Sequence, residues 1–117
     1  MTVPAPVSRK KSLPVGTVTF LFTDIVGSTT LWETQREAMH IALARHDTLL
    51  RRCIEQHRGH VVKTTGDGFH AAFVNAPDAI EAAIAAQKAL HVERWPEAAI
   101  RVRMAVHTGT AELRDRD

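Results

Sequence analysis

Apolar positions along the chain follow two different periods, and the switches between them mark out the elements. Residues 18–22, "VTFLF", form a nearly unbroken apolar run. The run is too short for an independent helix and rich in strand formers, so Val18 to Thr23 is expected to be a buried strand. Helical spacing then takes over. Ala42, Leu49 and Cys53 lie on one stripe, with Leu43, Leu50 and Ile54 beside it. The helix is expected to start near Ser28 to Thr30, where Thr30 and Glu33 match a capping box, and to end with Gly59 as its C-cap. Residues 29–58 are too many for one helix, so a break is expected between Trp32 and Ala38.

Residues 60–73, "HVVKTTGDGFHAAF", return to strand character. Two short apolar segments flank Gly66-Asp67-Gly68, which reads as a β-hairpin. "PDAIEAAIAAQKALHVE" follows as an amphipathic helix, with Pro77 in its first turn and Ile80, Ala83, Ile84 and Leu90 as its buried face. From Ile100 to His107 the pattern alternates: Ile100, Val102, Met104 and Val106 face one way, and Arg101, Arg103, Ala105 and His107 the other. That is a half-buried strand. The resulting order, β-α-β-β-α-β, predicts an α+β, ferredoxin-like split βαβ core: an antiparallel sheet with both helices on one face. The expected organisation is an N-terminal tail over residues 1–15, holding Pro4, Pro6, Pro14 and the basic Arg9, Lys10 and Lys11, then a domain over residues 16–117. The final "AELRDRD" carries no terminating element, so the domain is expected to be C-terminally incomplete.

Composition narrows the class. A 117-residue chain with 44% hydrophobic and 24% charged residues fits one globular core. The net charge of +2 is small, and no basic stripe with interleaved aromatics appears, which argues against a nucleic-acid partner. Cys53, the single cysteine, excludes a disulfide scaffold, and its place on the apolar stripe makes it a core residue. No apolar run reaches membrane-spanning length and no signal-peptide pattern opens the chain; a cytoplasmic location is the expectation. The seven histidines form no zinc pattern and are expected on helix surfaces and strand faces, with Trp32 and Trp95 as packing groups.

The chemistry lies in two acidic turns. Asp24 ends the first strand, and Gly27, Ser28 and Thr29 follow it. Asp67 sits at the hairpin tip. In a split βαβ sheet the first strand is central and pairs with a hairpin strand, so both carboxylates can reach the same end. Such a pair suits hard divalent cations, which prefer oxygen ligands and bring phosphates with them. A turn opening a helix offers N–H donors to an anion, and Gly27 permits close backbone approach. Lys63, inside an apolar strand, is either a charge that calls for a partner or a ligand or a residue of an exposed strand face.

"FLFTDIVGSTTLWE", "HVVKTTGDGFHAAF" and "IRVRMAVHTGTAELRDRD" resemble successive blocks of the class III nucleotidyl cyclase catalytic domain, with the greatest likeness to bacterial adenylate cyclases. The resemblance covers residues 16–117. It implies that Asp24 and Asp67 are catalytic, metal-binding aspartates, with the Ile25 carbonyl beside them and the Gly27-Ser28-Thr29 turn under the triphosphate. It implies that Lys63 reads the purine, that Arg103 contacts the triphosphate, and that Asp117 accepts from the adenine amino group. Two Mg²⁺ or Mn²⁺ ions per site, ATP as substrate and a homodimer with interfacial sites also follow from it, as does a role in intracellular signal transduction. The family's transition-state asparagine and arginine lie on an N-x-x-x-R segment beyond Asp117, so the chain by itself is expected to be a poor enzyme. The alternatives are an inactive cyclase-like dimerisation or nucleotide-sensing module, and a guanylate cyclase. Lys63 speaks against guanine, whose purine edge presents the reverse hydrogen-bonding pattern. A palm-type or diguanylate cyclase fits less well, because "TTGDGF" matches its turn only loosely.

Overall fold

The computed structural model describes residues 16–111. The predicted tail and Asp117 lie outside them. The elements are β1 (Gly16–Ile25), α1 (Ser28–Thr34), α2 (Arg36–Gln56), β2 (His60–Thr65), β3 (Gly68–Phe73), α3 (Ala76–Val92) and β4 (Val102–Ala111). The four strands form one sheet in the order β2-β3-β1-β4, every neighbouring pair antiparallel. This is the expected split βαβ topology, with β1 between β3 and β4.

One face of the sheet carries the core. Leu21, Ile25, Phe69, Ala71 and Phe73 meet Met39, Leu50 and Ile54 of α2 and Ala79, Ala82 and Ala86 of α3. Burying each large aliphatic or aromatic side chain is worth about 1.5–3 kcal/mol. The opposite face presents Phe22, stacked on His70 with ring centroids 4.5 Å apart, and Phe20 tilted against the same ring. Phe22 remains 42% exposed there.

Several local expectations change. The helical region does break, at Gln35, between α1 and α2. α1 starts at Ser28, as expected, but the Thr30–Glu33 capping box is not used: the N-cap is Gly27, in the left-handed region at φ 68°. Thr30 is inside α1, where its carbonyl accepts a hydrogen bond from the Thr34 hydroxyl. At the end of α2 the left-handed residue is Arg58, φ 67°, not Gly59. The N–H of Gly59 bonds to the Ile54 carbonyl at 2.9 Å and that of Arg58 to Glu55 at 3.2 Å, the Schellman pattern. Gly59 is needed instead for space, since a Cβ there would lie 2.5 Å from the Phe73 ring. An ion pair from Arg58 to Asp78, with hydrogen bonds of 2.6 and 3.1 Å, ties this corner to the start of α3.

On α3 the buried face is Ala79, Ala82, Ala86 and Leu90, while Ile80 and Ile84 are exposed. The alanine side lets α3 approach the sheet and α2 closely, and small residues win that face over larger apolar ones. Val106 was expected in the core but is 41% exposed, because β4 is an edge strand and Val106 lies outside the helix-covered cluster. His46 is the reverse case: expected at the surface, it is fully buried. Cys53 is buried and free, and Trp32 and Trp95 pack against the core, as expected.

Candidate active site

The end of β1 carries Asp24 on the open face of the sheet and Ile25 on the core face, because successive strand residues alternate. The strand stops where Val26 leaves the sheet, its N–H held by the Arg101 carbonyl at 2.8 Å. Gly27 then turns the chain into α1. A Cβ on Gly27 would meet nothing within 4 Å, so glycine serves the left-handed backbone here and not a lack of room.

The β2–β3 hairpin brings Asp67 to the same place. Thr65 pairs with Gly68, which leaves Gly66 and Asp67 as the turn. Three contacts dock the hairpin tip on β1. The Ile25 N–H donates to the Asp67 carbonyl at 3.1 Å. The Phe69 N–H donates to the buried Thr23 hydroxyl oxygen at 2.9 Å. Gly68 lies so close to the Thr23 carbonyl that a side chain there would collide with it.

The side chains around the two carboxylates are specific. Arg103 stands directly across from Asp24 in the β1–β4 register. Its Nε donates to Asp24 Oδ1 at 3.0 Å and its Nη2 to Oδ2 at 2.8 Å, a two-point pair. Hydrogen bonding from Arg103 holds the Asp24 carboxyl below the usual carboxylate range, its charge adding to the effect. Asp24 in turn raises the Arg103 guanidinium, and Asp67 contributes in the same direction, so the guanidinium lies within electrostatic reach of both acids. The Ser28 hydroxyl donates to Asp67 Oδ2 at 2.8 Å, with Thr65 at 3.5 Å from Oδ1. A shallow depression beside this cluster is lined by Phe22, Asp24, Arg103 and Ala105.

The structure therefore brings together Asp24, Ile25, Asp67, Ser28 and Arg103. Gly27 shapes the turn, and Thr29 is exposed in the first turn of α1. Lys63 is not part of the cluster. It is exposed on the edge strand β2, on the open face, in register with His70, which pairs in turn with Phe22. The charge of Lys63 sits in water, so the argument that it needs a partner to offset burial does not hold. Asp117 lies outside the described residues.

Among the described residues no group of three or more His, Cys, Asp or Glu side chains could hold a metal. The candidate donors here are the carboxylates of Asp24 and Asp67. Their chemistry is all oxygen and anionic, which fits a hard divalent cation whose remaining positions are filled by phosphate and water. Sequence reasoning missed Thr23 and Thr65 in this cluster, and it missed His46, whose ring lies 5.9 Å from that of Phe69, two residues past Asp67. The signal for His46 was present: Ala42, His46, Leu49 and Cys53 step by four, three and four along one helix stripe.

The family model described as the adenylate and guanylate cyclase catalytic domain matches residues 11–113. An adenylate cyclase of Podospora anserina is 44% identical over 84 residues, covering 71% of this chain and 4% of that protein. An uncharacterized protein of Mycobacterium tuberculosis is 41% identical over 104 residues, covering 87% of this chain and 34% of that one. Among solved structures, a Trypanosoma brucei adenylate cyclase described in its monomeric state superposes with a TM-score of 0.80 at 27% identity, covering 87% of this chain and 60% of that one. The chain thus spans only a part of each of these relatives. On the family match and the fold together, this chain belongs to the adenylate and guanylate cyclase catalytic domain family.

Proposed function

We propose that this chain is the metal-holding part of an adenylate cyclase that converts ATP to 3′,5′-cyclic AMP and pyrophosphate in intracellular, cytoplasmic signalling. The observation that carries the reading is the convergence of Asp24, Asp67 and Arg103 at one end of the sheet, in a chain of this family. Two divalent cations, Mg²⁺ or Mn²⁺, would neutralise phosphate charge and lower the pKa of the ribose 3′-hydroxyl.

The chain's own residues then have distinct tasks. Asp24, Asp67 and the Ile25 carbonyl hold the cations. Arg103 and the turn of Gly27, Ser28 and Thr29 bind the triphosphate and fix the α-phosphorus in line with the 3′-hydroxyl, and such positioning supplies much of the rate. Lys63 reads the adenine edge. It stands two strands from Asp24, about 10 Å across the sheet, outside the acidic cluster. In a head-to-tail homodimer Lys63 serves the site built on the partner's Asp24. The exposed Phe22 on the open face is consistent with a face covered by a second copy.

The test is turnover of the full-length protein with Mn²⁺ and either ATP or GTP. Cyclic AMP is the expected main product, and cyclic GMP as the main product would overturn the role of Lys63. Asp24→Ala and Asp67→Ala should each reduce turnover at least 10²-fold, on the order of losing one fixed transition-state contact, with unchanged circular dichroism. Full activity of either variant would remove it from the metal site.

A further inference from the structure

We infer that Arg103 and Ser28 are exchange partners that make cation binding and triphosphate binding depend on each other. The inference rests on the reading of Asp24 and Asp67 as cation ligands. Each of those carboxylates already has a donor in the folded chain: the Arg103 fork occupies both oxygens of Asp24, and the Ser28 hydroxyl occupies Oδ2 of Asp67. These two donors are also the ones that the proposed function assigns to the triphosphate. A donor engaged with a carboxylate is not free for a phosphate, and a carboxylate whose charge is shared with a guanidinium holds a cation less strongly.

The consequence follows from counting partners. A cation arriving alone competes with Arg103 for the charge of Asp24 and faces the like charge of the guanidinium. A triphosphate arriving alone must draw Arg103 away, and it leaves Asp24 facing a polyanion. When both arrive, each releases the group that the other requires. The two affinities then rise together, and by linkage the coupling is equal in both directions.

The arrangement is built into the sheet, since Asp24 and Arg103 are opposite one another in the β1–β4 register. It is also open to exchange: the Asp24 side chain is 46% exposed and that of Arg103 70% exposed. An exposed pair is worth little in water, so ligands can break it; a buried pair would be locked.

The experiment is Mn²⁺ binding to the chain, followed by electron paramagnetic resonance of free Mn²⁺, with Arg103→Gln, Arg101→Gln and Asp24→Asn. Arg101→Gln removes a nearby positive charge that has no ion pair to Asp24 and controls for general electrostatics. Arg103→Gln should bind Mn²⁺ about fivefold tighter than wild type, the upper range for releasing an exposed pair, and Arg101→Gln within about twofold of wild type, as expected for a screened charge. Inorganic tripolyphosphate, after correction for its own Mn²⁺ complex, should tighten Mn²⁺ binding in wild type and less so in Arg103→Gln. Equal Mn²⁺ affinity of Arg103→Gln and Arg101→Gln would overturn the exchange. If Asp24→Asn still weakens Mn²⁺ binding in that case, the cation site stands without the exchange. No effect of Asp24→Asn in any background overturns both.

Discussion

His46 is fully buried, and its ring lies beneath the β3 strand that follows Asp67. Its Nδ1 reaches Asp47 at 2.8 Å, and no hydrogen bond from the described residues reaches its Nε2. Burial pushes the imidazole below its ordinary value of 6.5, against the opposing pull of Asp47 and Asp67. A group whose folded pKa is depressed binds more protons when unfolded, so the folded state loses stability as pH falls through 6.5 towards the folded value. Thermal melts between pH 7 and pH 5 should therefore show a larger loss for wild type than for His46→Leu. Equal losses would mean that His46 is not held neutral in the fold. The burial was legible in the helix stripe but was outweighed by the polar character of histidine. The exposure of Lys63 was one of two readings the pattern allowed, because a strand pattern does not say which face a second layer will cover.

Gly68 shows what an element boundary can do for a site. Its missing side chain lets β3 start against the Thr23 carbonyl, and that contact sets Asp67 beside Asp24. Gly68→Ala is expected to destabilise the fold by about 3 kcal/mol, the upper range for overpacking, and to weaken Mn²⁺ binding, read by calorimetry on the same sample. Gly66→Ala is the control two residues away in the same turn: a Cβ there meets nothing within 4 Å. It should change stability by less than about 0.5 kcal/mol. At the start of α3, the Asn75 side chain accepts from the Asp78 N–H at 2.9 Å. Asn75→Ala should cost about 1 kcal/mol in denaturant melts, with Mn²⁺ affinity unchanged because α3 starts outside the acidic cluster. The elements themselves were largely readable, since periods of two and 3.6 residues differ plainly. Their faces were less so: on α3 the isoleucines were the stronger hydrophobic signal, yet the alanines were buried, because the distance between layers favours small side chains.

Across the whole molecule, Lys63 and Arg103 occupy the two edge strands of one open face, with Phe20, Phe22 and His70 between them. If two copies share sites across that face, full-length proteins carrying Asp24→Ala and Lys63→Ala should complement one another. Half of the dimers in an equal mixture are mixed, and each has one intact site of two, so about one quarter of wild-type turnover should return. Mixing that restores nothing would argue for sites completed within one copy.

The order of strands and helices, the split βαβ sheet that follows from it, and the residue types at the acidic turns were all set by the amino-acid pattern. These are local properties, set by hydrophobic period and turn chemistry within a few positions. The tertiary structure decided which of those residues meet. The pairing of Asp24 with Arg103 depends on a β1–β4 register between residues 79 positions apart, and that of Ser28 with Asp67 on a hairpin docked 39 positions away. Such contacts depend on how the layers pack and on where a glycine lets two backbones touch. A carboxylate at the mouth of a strand was therefore visible from the start, but the guanidinium that holds it was visible only once the sheet was assembled.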